Sequence, residues 1–278
     1  MAQVLSVSGN VRLGFAFKTS FHHDFGRITG IAASTRGNIL LCDYDNKKLI
    51  LVNPFGKYLN KLSLESEPYD VAITSQNIGH ITQPNTRYVL QIDPDRLVVL
   101  YKATSNDMHI SVNCASAVPN SGLDIPNKVS CYLGVTVNGS LCLTQETHIS
   151  SNGYAIDHRV MKFHAVDVGT FLYCIGDQNY IKFTKSSSLG YHCKEHIVNI
   201  ETMVMPTDIC SDNNGHIYVI GQGSNNIHRL TNDGKVIDIP LDCRHGIKQP
   251  VALSLNQDYV KLYVVNEWGK SVLVFDVI

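Results

Sequence analysis

The residues best spaced for chemistry are the two histidines of His192-Cys193-Lys194-Glu195-His196. On a strand, positions four apart share a face, so both imidazoles could reach one metal ion. His158 and His164, six apart, share a strand face in the same way, and His22-His23-Asp24 is a third local cluster. Asp70 and Asp208 stand at matching places in an internal repeat. Paired carboxylates can divide acid and base roles. Carboxylates that recur with a repeat can instead accept backbone amides of the neighbouring repeat, and this bracing role is the preferred reading. Gly221-Gln222-Gly223 approaches a phosphate-binding glycine loop, but its third position is Asn226 and no helix follows, so it reads as a hairpin tip. The G-x-S-x-G, H-E-x-x-H and Walker patterns are absent. We therefore expect no catalytic residue, no metal, no cofactor and no enzyme activity.

Composition narrows the partners. The chain has 278 residues, 23 Lys plus Arg against 24 Asp plus Glu, and 44% hydrophobic residues. A net charge of -1 excludes a globally basic DNA binder. The apolar fraction with only 17% charged residues indicates a folded chain. No apolar run is long enough for a membrane-spanning helix, and the N-terminus lacks a signal-peptide pattern. Eight cysteines, none in a C-x-x-C, lie mostly in apolar runs and read as reduced, buried thiols, which fits a cytoplasmic protein.

Short β-rich runs bounded by Gly, Asn, Asp and Pro must position whatever chemistry exists. Three segments share one pattern: Gly30 to Lys57, Asp208 to Lys235 and Val251 to Phe275. Each reads as strand, turn, strand, polar tip, strand. Weaker copies open at Asp70, Gly134 and Leu172, so the anchors at 30, 70, 134, 172, 208 and 252 are spaced 40, 64, 38, 36 and 44. The excess in the second gap is assigned to an insertion at 106–127. Copies of about 40 residues with four strands each describe a β-propeller. We expect one domain over 1–278, all-β, with six four-stranded blades near 27–66, 67–105, 106–165, 166–204, 205–246 and 247–278. The last copy has three strands, so residues 11–19 are expected to supply its outer strand and close the ring. The inner strands expected at 30–34, 70–74, 132–137 and 208–211 contain no histidine, which argues against a metal in the central channel.

The run Gly37-Asn38-Ile39-Leu40-Leu41-Cys42-Asp43-Tyr44-Asp45-Asn46, followed by Phe55-Gly56-Lys57, resembles an NHL repeat, and Pro68, Pro206 and Pro250 open further copies. Over 11–278 the chain resembles the C-terminal propellers of invertebrate, in particular molluscan, tripartite-motif-like proteins. The third and fourth copies depart from it by lacking Asp-x-x-Asn. The resemblance implies a propeller that binds a protein or RNA ligand, including ubiquitylation substrates. The zinc-binding RING of that family is not encoded here, since no paired C-x-x-C set exists.

Strand alternation puts every tip between second and third strands on one face, together with the connections between blades. The ligand-binding residues expected there are Tyr44, Asn46, Lys47, Arg87, Arg159, Asn225, Trp268 and Lys270. Interleaved aromatics, amides and cations suit a hot-spot patch for a protein partner. Single-stranded RNA stacked on the rings is the alternative, weakened by the acidic neighbours Asp24, Asp45, Asp157 and Glu267. A channel enzyme or small-ligand binder is the third reading. No membrane and no DNA partner is expected.

Overall fold

The computed structural model describes residues 14–86, 88–104, 110–117, 130–136, 141–145, 160–166, 170–175, 178–186 and 193–278. Its strands in chain order are β1 (Phe15–Phe21), β2 (Ile28–Ala33), β3 (Ile39–Asp43), β4 (Lys48–Val52), β5 (Tyr58–Ser63), β6 (Asp70–Ile73), β7 (Gly79–Thr82), β8 (Tyr88–Asp93) and β9 (Val98–Thr104). There follow β10 (Ile110–Ala117), β11 (Ser130–Thr136), β12 (Leu141–Gln145), β13 (Val160–Ala165), β14 (Thr170–Ile175), β15 (Tyr180–Ser186) and β16 (Cys193–Asn199). The last are β17 (Pro206–Ser211), β18 (Ile217–Gly221), β19 (Asn226–Leu230), β20 (Val236–Leu241), β21 (Ala252–Leu255), β22 (Lys261–Asn266) and β23 (Ser271–Val277).

All sheets are antiparallel and their innermost strands ring a central axis. Four-stranded blades are formed by β2–β5, β6–β9, β13–β16, β17–β20 and the closing set β1-β23-β22-β21. The expected six four-stranded blades are thus corrected to five. Between β6 and β13 stands a sheet of three described strands, β10–β12. β1 pairs with β23 from Phe15↔Val277 to Phe21↔Val272, so the N-terminal strand closes the ring as expected; residues 11–13 lie outside the described residues.

Two assignments move. The segment taken as an insertion contains β10, which lies beside β6 and β13 as an inner strand. Residues 132–136 belong to β11, one strand further out. Val160–Ala165, grouped above with the third copy, is the inner strand of the next blade, with Leu172 on its second strand. The channel wall therefore contains a histidine, His164.

The turns explain why the repeat is visible in the sequence. The turn between first and second strands needs one left-handed residue, filled by Gly37 (φ 82°), Asn77 (φ 61°), Gly215 (φ 81°) and Tyr259 (φ 55°). The hydrophobic core lies between adjacent blades. Ile31, Leu41 and Val52 of the first blade pack against Tyr263, Val265 and Val274 of the closing blade. Equivalent clusters join β2–β5 to β6–β9 and β17–β20 to the closing blade.

Candidate functional site

Two surfaces bring polar side chains together: the central channel and the hairpin-tip face. At the channel mouth, Asp70 Oδ2 accepts the Ala115 amide of β10 at 3.0 Å, and Asp208 Oδ2 accepts the Leu253 amide of β21 at 2.9 Å. The other oxygens accept the amides of Val71 and Ile209, each at 2.9 Å. Both aspartates brace the next inner strand, as the preferred reading expects. The sequence did not reveal Lys162. It lies within β13, is 3% exposed, forms an ion pair with Asp70, and lies 5.2 Å from the Tyr69 ring centre.

One buried cation thus serves two carboxylates. Burial pushes Asp208 up to about 7, against the pull of Lys162 and with the help of the Asp70 charge. For Lys162 burial alone would favour the neutral amine, but Asp70 and Asp208 outweigh it and raise its pKa. Burial raises the Tyr69 hydroxyl to about 12, and that hydroxyl donates to the Met161 carbonyl at 3.4 Å.

Asp70 and Asp208 themselves help line a cavity of about 390 Å³ in the channel. Its apolar wall includes Ile31, Val71, Phe163 and Leu253, and its polar lining includes Ser116, His164, Asp208, Ser211 and Ser254. His164 Nε2 lies 2.8 Å from Ser211 Oγ of the next blade, and burial lowers the imidazole to about 4. Among the described residues no group of three His, Cys, Asp or Glu side chains could hold a metal ion. His192 and His158 lie outside the described residues.

On the tip face each tip is tied to the connection before it. Buried Asp43 accepts the Gly26 amide at 3.2 Å and the Asn46 side chain at 2.9 Å, which is what Asp-x-x-Asn does physically. Tyr44 is half-buried, with the Arg27 guanidinium 4.7 Å above its ring and Tyr69 edge-on at 6.3 Å. Lys47 is paired with Glu67 at 3.0 Å. Asn225 accepts the Gln249 amide at 2.6 Å. Lys270 donates to the Gly26 carbonyl at 2.7 Å. Trp268 is 55% exposed and has φ 58°. Arg87 and Arg159 lie outside the described residues. The sequence reading missed the exposed Val204 and Met205, which occupy the connection before β17 on this same face. Connections carry no periodicity that would have marked them.

No protein-family model matches the chain, and no curated protein sequence matches it. The likeness to NHL repeats thus rests on the residues quoted above. Among solved structures the chain is similar to a streptogramin B lyase, with a TM-score of 0.60 and 11% identity over 97% of this chain and 100% of that one. It is equally similar to the virginiamycin B lyase from Staphylococcus aureus, with a TM-score of 0.60 and 11% identity over 95% of this chain and 100% of that one. The fold is that of a β-propeller. Both of these propellers are lyases, so the fold accommodates enzymes and the expectation of no enzyme activity no longer stands. A site assembled from single side chains on several blades leaves no contiguous motif, so a missing motif excludes nothing. No helix among the described residues is long and apolar enough to cross a membrane.

Proposed function

We propose that the chain is an interaction module that binds a protein partner across the hairpin-tip face, with Trp268 as its anchor. The observation that carries this reading is the way Trp268 is held. Glu267, Trp268 and Gly269 all have positive φ, a costly conformation for a large side chain. The tip is fixed there by the Glu267 amide on the Lys248 carbonyl at 2.7 Å and the Trp268 amide on the Gln249 carbonyl at 3.1 Å. A rigidly presented, half-exposed indole has little ordering left to lose on binding.

Charge pairing favours protein over RNA. Arg27 faces Asp45 at 3.4 Å, Lys47 faces Glu67 at 3.0 Å, Lys248 faces Glu267 at 3.7 Å and Arg244 faces Asp242 at 2.6 Å. A phosphate backbone would have to displace these carboxylates, whereas a protein surface offers both signs. The test is a quantitative comparison of proteins retained by the immobilised chain and by its Trp268→Ala variant, with poly(U) titrated against salt in parallel. Partners lost with the variant support the reading. Binding of poly(U) that falls steeply with salt, with no such protein, would favour the RNA alternative.

A second reading, small-molecule chemistry in the channel, is favoured by the partly open, polar-lined cavity and by the likeness of the fold to two lyases.

A further inference from the structure

We infer that the central cavity is a nucleophilic site in which Ser211 attacks a small uncharged ester, with His164 as its general base. This rests on the channel reading and is independent of the tip face. The two residues come from different blades, β17 and β13, and meet at 2.8 Å between Ser211 Oγ and His164 Nε2 inside the cavity. A nucleophile and base within hydrogen-bond reach, beside a space that a substrate can enter, are the first geometric requirements of this chemistry. The cavity volume lies at the small end of the range for organic ligands.

The substrate class follows from the lining. Lys162 is committed to Asp70, so it offers no free cation to an anionic ligand. Ile31, Val71, Phe163 and Leu253 are apolar and Ser116 and Ser254 are neutral, while of the two lining carboxylates Asp70 is paired with Lys162 and burial holds Asp208 toward its neutral form. An uncharged ester fits that wall. His164 is uncharged at neutral pH because burial disfavours the imidazolium. With its proton on Nδ1, Nε2 accepts from the serine hydroxyl. A second pair, Thr202 Oγ1 and His228 Nε2, has the same 2.8 Å separation but does not line the cavity, so it serves as an internal control.

The step balances within the pair and the substrate. The Ser211 Oγ–carbon bond forms as the proton passes to Nε2. The bond from carbon to the leaving oxygen breaks, and Nε2 returns the proton to that oxygen. Water then gives its proton to Nε2 and bonds to the acyl carbon, Oγ leaves, and the proton goes back to Oγ.

The experiment is to treat the full chain with a fluorophosphonate and locate adducts by peptide mass spectrometry. Here the Oγ–phosphorus bond forms, the phosphorus–fluorine bond breaks and fluoride departs. We expect one adduct, on Ser211, none on Thr202, and none in Ser211→Ala. His164→Gln should slow labelling at least about 100-fold, the lower range for loss of a general base. The wild-type chain alone decides the matter if a variant fails to fold. An unlabelled Ser211, an adduct only elsewhere, or an unchanged labelling rate in a folded His164→Gln protein would overturn the proposal. The last of these would leave the pair as an inter-blade brace, with the partner-binding reading of the tip face unaffected.

Discussion

Lys162 on β13 reaches past the β10 strand to form a buried ion pair with Asp70 on β6. The same Asp70 accepts the Ala115 amide of the strand between them, so three neighbouring inner strands are tied at the channel mouth. Replacing Lys162 by Met leaves two carboxylates without their cation. Breaking a buried pair from one side costs about 3–5 kcal/mol, and urea unfolding should show a loss of that size. Asp70→Asn together with Lys162→Met should restore part of it, because no charge then remains at Asp70.

Asp208 gives a pH signature whose sign is fixed by its direction of shift. Its pKa is raised to about 7 in the folded chain, against about 3.8 for an unperturbed aspartate. The folded state therefore holds the proton more tightly than the unfolded state. This contribution to stability is full below about pH 3.8, declines as pH rises from there to about 7, and is lost above that. Asp208→Asn cannot titrate, so the difference in stability between wild type and variant should follow that window. A pH-independent difference would contradict the assigned shift.

Three of the repeats are legible in the sequence because their turns demand particular residues. Gly37 and Gly215 have positive φ, and Asp43 with Asn46 closes a tip by hydrogen bonds, so both leave a local pattern. β10 is not legible for a physical reason. An inner strand faces a polar channel on one side, so Ile110-Ser111-Val112-Asn113-Cys114-Ala115-Ser116-Ala117 lacks the apolar run of a fully buried strand. Reading it as an insertion shifted the next strand assignments and removed His164 from the channel wall. The pair of Asp70 and Lys162 lies 92 residues apart in sequence, where no spacing rule reaches.

Ring closure by β1 makes its apolar side chains structural. Phe21 is buried with Phe25, Ile28 and Val272 in the cluster that joins the first and closing blades. Phe21→Ala should cost about 3 kcal/mol or more in urea unfolding. Deleting residues 1–21 should lower the Tm further and reduce solubility, because β23, still paired with β22, would lose its outer partner and present a free strand edge. An unchanged Tm would contradict closure by this strand.

The thiols should divide by access. Cys42, Cys114, Cys174 and Cys210 are buried and free, while Cys243 is free and exposed. Iodoacetamide on the native chain should modify Cys243 rapidly. The four buried thiols should react only after unfolding, as peptide mapping would show.

The central claim is that Trp268 anchors a protein partner. The measurement that tests it most directly is the affinity of Trp268→Ala for a partner captured by the wild-type chain, with the Tm of both proteins recorded alongside. Truncating a hot-spot tryptophan costs about 2 kcal/mol or more, a weakening of roughly 30-fold. Because the indole is 55% exposed and belongs to no core cluster among the described residues, the Tm should stay nearly unchanged. Unchanged affinity, or a loss of affinity matched by a fall in Tm, would contradict the claim.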